Sequence, residues 1–552
     1  MFWRSRTGRA ICLADQFPVV DVPEVMRGRV RFAGLPPVDL GTDVDWRSNP
    51  HGNRSWALNL HTLRWAGRLV AEYERTGDRD LLDRAAAVTH DWLRENPRGG
   101  PGVSPWAWAE HAVALRAPVL VCLSAHVRTD HLWDGLAEHG EVLADSALYR
   151  QGHNHGLDQD IGLLVVGCRL GRDGWRKLAI RRMTASAELS IDAQGVLHEQ
   201  APRYGLYVHR RLGVALRAIE ESGAPVPARL TGRRASLETY IAHATQPDGR
   251  LVPIGDSPAD TRAPAFATAS GQGEPVVKVF DGGYVFGRTS WGDPRAAYYS
   301  IRFGPGRRLH GHEDHLGVTY HAHGRNILVE AGFHSYEKTA YAEWTRSPEA
   351  HNVPVVVGAG FRPGTPTRLT GSTLGPSRQT FRLADDAYGV CRTREILVEH
   401  GPDLMAVLDS VPTGSVSRGR WHFDPSLRPV SQRDGVVVLG DGDWRVTLLH
   451  LALPSTGLPT SGQTVGSSTI STGYLRTAEA VTVSSPEAAR LLTVIVPGAA
   501  DARVSVVDGV ITVHTPGGPV ALPWPVQAPY DQPGWVRAGR SRVRLAVGEP
   551  TV

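Results

Sequence analysis

Histidine and acid crowd one short stretch of the chain, HGHEDHLGVTYH at residues 310–321. Histidine is the side chain that most readily binds a metal or moves a proton near neutral pH, so a cluster of it asks for a use. His310 and His312 lie two apart; on a strand they share a face, where a pair can hold an ion or divide proton transfer between them. Three other stretches carry groups of the same kind. In QGHNHGLDQDIGLL (151–164), His153, Asn154 and His155 precede a helical pattern, and Gly152 and Gly156 let the backbone approach a ligand closely. In HEQAPRYGLYVHRR (198–211), Tyr204 opens a helix after a proline. In RSPEAHNVPVVVG (346–358), His351 leads into a strand. Taken singly, each also reads as plain structure: a capped helix start, a packed tyrosine, a polar strand end. Zinc takes imidazole nitrogen and carboxylate oxygen, commonly in fours. The spacing is neither that of a zincin nor that of a finger. It leaves His310, His312, Glu313, Asp314, His315, Glu330 and His351 all open as ligands.

The elements that must position these groups fall into two textures. From about 55 to 250, amphipathic helical runs follow one another with short turns: SWALNLHTLRWAGRLVAEYERTGD, DRDLLDRAAAVTHDWLREN, AWAEHAVALRAPVLVCLSAHV, LDQDIGLLVVGCRL, GWRKLAIRRMTASAELSI and YGLYVHRRLGVALRAIEES. An Asp at the start and Asn-Pro at the end bound the second of them. Many such helices predict a bundle or a helical toroid. VPIGDSPADTRAPAFATASGQGEP (252–275) is rich in Pro, Gly, Ala and Ser and reads as a junction. Beyond it, short alternating runs separated by glycines predict an antiparallel β-sandwich. The expected division is a helical domain at 1–255, a linker at 256–275, a β-sandwich domain at 276–425 and a further β-region at 426–552. PTSGQTVGSSTISTG (459–473) reads as a loop.

Composition sets limits on function. With 552 residues, 41% hydrophobic and 21% charged, the chain is globular and long enough for two or three domains. A net charge of +4 makes no case for a nucleic-acid partner. Only Lys177, Lys278 and Lys338 are lysines, so nearly all the positive charge is arginine, whose planar fork suits carboxylates. Cys12, Cys122, Cys168 and Cys391 lie far apart and are expected to be small buried hydrophobes rather than a disulfide framework. The first residues, MFWRSRTGRAICLADQFPVVDVPEV, hold no apolar run of about 7–15 residues before Asp15, so no secretory signal is expected. No run approaches the roughly 18 apolar residues of a membrane span. A soluble, unexported protein is the expectation, with export by another route or a different start site as the alternatives.

Together, the four stretches resemble the heparinase II/III-like polysaccharide lyases and the related alginate lyases. GGYVFGRTSWGDPRAAYYSIRFGPG, HGHEDHLGVTYHAHGRNILVEAGFHSY and RSPEAHNVPVVVG (282–358) resemble that family's β domain in order and spacing. NLHTLRW, YERTGD, GHNHGLDQDIGLL, EQAPRY and PIGDS occur in the order expected of its helical domain. The resemblance spans roughly residues 50–360 and implies an incomplete α/α toroid followed by antiparallel β-sandwich domains. It implies β-elimination at a 4-linked uronic acid of an acidic polysaccharide or oligosaccharide. By resemblance, Asn154 neutralises the uronate carboxylate and His155 beside it contacts that carboxylate or moves a proton. Tyr204 is base or acid, and as a base it needs nearby positive charge to lower its pKa. His310 is a second proton-transfer or carboxylate-contacting group, and Tyr336 matches an acid of the alginate-degrading relatives. His312, Glu330 and His351 match ligands of one divalent ion, usually zinc, with a structural role on the β side of the cleft. Two positions depart from the family: the metal carboxylate is usually aspartate, here Glu330 in LVEAG, and a histidine common after the tyrosine is Gly205. His315, His321 and His323 receive no role; the last two are expected on a solvated strand.

Two other functions stand beside the lyase. One is a non-catalytic carbohydrate binder of surface-polysaccharide assembly, which fits Glu330 and Gly205. The other is a glycoside hydrolase, which needs two carboxylates across the scissile bond; Asp158, Asp160 and Glu199 are the available acids. The glycan and the oligomeric state, a homodimer included, stay open.

Overall fold

A computed structural model describes residues 8–271, 273–433, 435–454 and 462–526. The first seven residues of the expected unexported start, residue 272 of the expected linker, and 527–552 of the expected C-terminal β-region lie outside the described residues.

The helical half runs through Arg54–His61, Arg64–Thr76, Arg79–Glu95, Glu110–His126, Asp130–Ala144, Asn154–Arg169, Asp173–Ser190, Pro202–Glu221 and Ala228–His243. Asp78 starts the third of these as expected, its side chain accepting from Asp80 N–H. The stretch 55–78 is two helices, not one. Leu63 adopts φ 51°, which ends the first helix and redirects the chain into the second. The helix Glu110–His126 is buried from Ala112 through Ser124 and packs along Asn154–Arg169, so apolar residues on every face have neighbours to meet. Its one buried cation, Arg116, donates to His139 Nε2 and His61 O and lies 3.6 Å above the Trp92 ring. Among the described residues no helix is long and apolar enough to cross a membrane.

The β half begins with an antiparallel meander, Val277–Phe280, Tyr284–Arg288, Tyr298–Arg302, Val318–Ala322 and Arg325–Leu328, in that spatial order. One face carries Phe280, Tyr284, Phe286 and Tyr298 into the core of the helical half; Tyr240 meets the first three of these rings at 5.5–6.0 Å. The other face carries Val285, Tyr299, Ile301 and Val318 against Phe381, Ile396, Val407 and Ile495 of an eight-stranded antiparallel sheet. That sheet is itself buried on its far side, where Leu397, Ala406, Leu408 and Val494 pack on a three-stranded sheet through Ile511 and Val513. Its strands include both Arg392–Glu399 and Trp444–Ala452, so a division at residue 425 cuts one sheet rather than separating two.

Three other expectations change. Thr464–Gly473 is a strand, hydrogen-bonded to Arg476–Ser484, largely exposed to Thr469 and buried at Ile470 and Ser471, where a polar loop was expected at 459–473; residues 459–461 lie outside the described set. Cys12 and Cys122 form a disulfide across 110 residues of sequence, where separate buried thiols were expected. Only the fold brings their Cα atoms to 4.7 Å, within the range of a disulfide. His321 is 1% exposed and hydrogen-bonded to Asn326, while His323 sits in a turn at φ 56° and donates to Asp403.

Candidate active site between the helical and β halves

The helical wall is built at the start of Asn154–Arg169. His153 caps this helix, its Nδ1 accepting from His155 N–H. Burial and the neighbouring histidines lower the His153 pKa to about 3, which keeps the ring an acceptor. Asn154 is buried and fixed by one carboxylate: its backbone N–H and its Nδ2 each donate to Glu199, both at 2.7 Å. His155 donates from Nδ1 to Glu110 at 3.3 Å and stacks on His111, centroids 3.7 Å apart. Beneath that stack, Asp158 accepts from His111, Tyr207 and Arg211. The hydrogen bond from His155 holds the Glu110 carboxyl down at about 2, against the effect of its burial.

Glu199 and Gln200 lie in the bend before Pro202–Glu221. Gln200 takes φ 64°, and its side chain clamps the β half: Nε2 donates to the carbonyls of Pro305 and Gly306, and Oε1 accepts from Arg308 N–H. The clamped segment is the connection between Tyr298–Arg302 and Val318–Ala322. It is a loop, so His310 and His312 do not share a strand face as expected. They converge all the same, because both reach Asp256. His310 Nδ1 donates to Asp256 Oδ2 at 2.9 Å, and His312 Nε2 to Asp256 Oδ1 at 3.1 Å. Arg346 adds a third bond, and Asp256 N–H donates to His310 O. Burial alone would raise the Asp256 carboxyl, but the two histidines and Arg346 outweigh it and hold the group below the usual carboxylate range.

The His310 ring lies flat on Tyr204, centroids 3.5 Å apart and 10° from parallel. The Tyr204 and Tyr336 hydroxyls are hydrogen-bonded to each other. Burial pushes both phenols up, and for Tyr204 the Tyr336 hydroxyl, Asp256 and Glu199 push the same way. The carboxylates of Asp256 and Glu199 thus act on Tyr204 in the direction opposite to the one a tyrosine base requires. Asn154, His155, Tyr204, His310 and Tyr336 are thus brought to one place, from two helices and two loops.

Of the expected metal ligands, His351 donates from Nδ1 to Glu330, His312 faces Asp256, and the His312 and His351 rings stand 5.4 Å apart. All three are buried. Among the described residues, no three His, Cys, Asp or Glu groups gather closely enough to hold an ion as placed. The donor chemistry suits a divalent cation, and His351 Nε2 and Asp314 Oδ2 are buried there without partners.

The acids open to a hydrolase are all buried and engaged: Asp158 as above, Asp160 by Tyr149, Glu199 by Asn154. Neither Asp256 nor Glu110 carries a sequence signal for its role. PIGDS flagged the first only as part of an ordered motif set, and nothing in its spacing to 310 signals that the junction folds beneath the histidine loop.

The Heparinase II/III N-terminus family model matches residues 25–263, and the Heparinase II/III-like, C-terminal model matches residues 272–504. A crystal structure of heparinase III superposes with a TM-score of 0.77 at 16% identity, covering 94% of each chain. A mutant of the heparan sulfate lyase HepC from Pedobacter heparinus gives a TM-score of 0.67 at 17% identity, covering 93% of this chain and 90% of the other. The chondroitin AC lyase of Streptomyces coelicolor A3, solved with chondroitin sulphate, gives 0.52 at 14% identity, covering 84% of this chain and 79% of the other. These likenesses are of fold. No curated protein matches the chain by sequence.

Proposed function

The chain belongs to the heparinase II/III family of polysaccharide lyases, and on that premise we propose that it cleaves 4-linked uronic acid glycans by β-elimination, leaving a 4,5-unsaturated end. The observation that carries this reading is the stack of His310 on Tyr204, with Asp256 on the far nitrogen of His310 and Tyr336 on the hydroxyl of Tyr204.

The chemistry requires a proton to leave C5, charge to collect on the neighbouring carboxylate, and the C4–O4 bond to break with protonation of the leaving oxygen. Asp256 accepts only, so it holds the proton of His310 on Nδ1; Nε2, which lies 3.8 Å from Glu199 Oε2, keeps the lone pair of a base. The C5 proton goes to Nε2. The electron pair passes through the enolate-like carboxylate and forms the C4–C5 double bond as O4 departs. Tyr204 and Tyr336, kept neutral, give the proton to O4, and their mutual bond lets one replenish the other. Asn154, held by Glu199, and His155, held by Glu110, bind the substrate carboxylate and stabilise its developing charge. His312, Glu330 and His351 would hold the family's divalent ion, zinc, which supplies positive charge to the β wall when bound.

Acid and base stand in one stacked cluster, so both act on one face of the sugar. That suits uronates whose C5 hydrogen and O4 share a face, the gluco and manno configurations, over ido and gulo. Purified protein incubated with glucuronans, mannuronans, glycosaminoglycans and bacterial capsules is expected to raise the ultraviolet absorbance of a conjugated double bond. Tyr204→Phe is expected to lower kcat by roughly 100- to 10,000-fold. Absence of that absorbance across the panel, or full activity of the variant, removes the reading.

A further inference from the structure

The helical and β halves meet on two sides of the catalytic cluster. On one side, Glu199, Gln200 and Asp256 hold the loop around His310. On the other, a second set of contacts, used by nothing above, reaches across. Glu337, one residue past Tyr336, accepts from Arg54 N–H at 2.9 Å. The Tyr474 hydroxyl accepts from Asn53 Nδ2 at 3.3 Å and donates to Ser55 Oγ at 3.2 Å. Tyr474 is at the turn between the strands Thr464–Gly473 and Arg476–Ser484, and its ring lies 6.2 Å from Phe333, itself 4.8 Å from Tyr336. Backbone bonds from Ser471 to Ala331 and from Leu475 to His334 join this hairpin to the segment that carries Tyr336. These ties join the segment that carries Tyr336 to the helical half, and a bridge closed over the cluster would bar a polymer laid in sideways and admit a chain only by its end.

The same bridge presents a cation. The Arg54 side chain is exposed, makes no ion pair among the described residues, and lies 5.6 Å over the Trp106 ring. Trp106 leads into Glu110, the acid that holds His155. The indole carries the guanidinium on its face, and a guanidinium forks a carboxylate or sulfate, so the pair would suit the acidic group of a sugar. We propose that this bridge makes the protein a chain-end lyase, and that Arg54 on Trp106 binds the acidic group of a sugar near the entering terminus. The proposal rests on the lyase reading above.

On a uronate polymer that the protein cleaves, unsaturated mono- or disaccharides are expected from the earliest times, with viscosity falling slowly. Tyr474→Ala combined with Glu337→Ala should open the roof, lengthen the first products and speed the fall in viscosity. A broad ladder of fragments from the unaltered protein at low conversion overturns the proposal. Arg54→Ala keeps the backbone N–H that meets Glu337, so it isolates the guanidinium; it is expected to raise KM about tenfold, more than it lowers kcat. An unchanged KM removes the subsite. If no uronate is cleaved, the lyase reading fails by itself, and the bridge is judged separately. Ser55→Cys with Tyr474→Cys should then be joined by a short bis-maleimide far faster than either single variant reacts with the other free cysteines, and failure to join them shows that the roof is not shut.

Discussion

Tyr204 is pushed up by burial, by the Tyr336 phenol and by the carboxylates of Asp256 and Glu199. A tyrosine held neutral suits a proton donor, which in the proposed reaction leaves the base to His310. The two assignments differ in their pH dependence. With Tyr204 as donor, tyrosine ionisation takes away activity only above about pH 10, because the folded phenol lies above its ordinary value. With Tyr204 as base, kcat climbs about tenfold per pH unit up to that point. A kcat–pH profile in the alkaline range separates them. Asp256→Asn leaves one acceptor oxygen for two histidines and puts an N–H donor against the other, so the His310 tautomer is no longer fixed; it is expected to lower kcat roughly 100-fold with KM little changed, measured on the same substrate. Elemental analysis of the purified protein is expected to find one divalent ion per chain, lost in His312→Ala. At this scale the sequence disclosed the reactive groups and hid their holders. His310, Tyr204 and Asn154 stand in ordered motifs, whereas Asp256 acquires its place only when the junction folds under the loop. The loop reads as a strand in sequence because H-x-H imitates the period of two.

The helices were legible because a 3.6-residue apolar stripe and capping acids such as Asp78 are written locally. The late strands were harder. The central strands of the eight-stranded sheet are buried on both faces, so Leu404–Ser410 and Arg490–Pro497 read as plain apolar runs without alternation. The joint between the two kinds of element is aromatic. Tyr240 projects from Ala228–His243 onto Phe280, Tyr284 and Phe286 of the meander. Tyr240→Ala is expected to destabilise the protein by about 3–5 kcal/mol, the cost of an emptied aromatic site, read as a lowered urea midpoint. Because the catalytic groups come from both halves, loss of activity should precede global unfolding in that variant.

Over the whole molecule, histidines buried in neutral form set the response to acid. Burial lowers His61 to about 3 and His450 to about 4, and both are essentially inaccessible to solvent. In the unfolded chain each takes up a proton near pH 6.5. Between that pH and the folded values the unfolded state binds more protons, so the stability these groups contribute is complete above about pH 6.5 and is lost as pH falls toward 3–4. At pH 5 the loss is about 2 kcal/mol for each fully buried imidazole. Denaturation at pH 7.5 and at pH 5.0 is expected to show a clear fall in midpoint, and equal midpoints contradict the neutral assignment.

The bond between Cys12 and Cys122 closes a covalent ring, and that ring has contents. Asn53, Arg54, Ser55, Trp106, Glu110 and His111 all fall inside it, while Asn154 and every later catalytic group fall outside. A protease that cuts a surface turn anywhere between the two cysteines therefore severs the chain without freeing either piece. The nicked protein keeps its full mass on a gel until a thiol is added, and after a cut between Arg54 and Glu110 the piece that carries Arg54 stays tethered to the helix Glu110–His126.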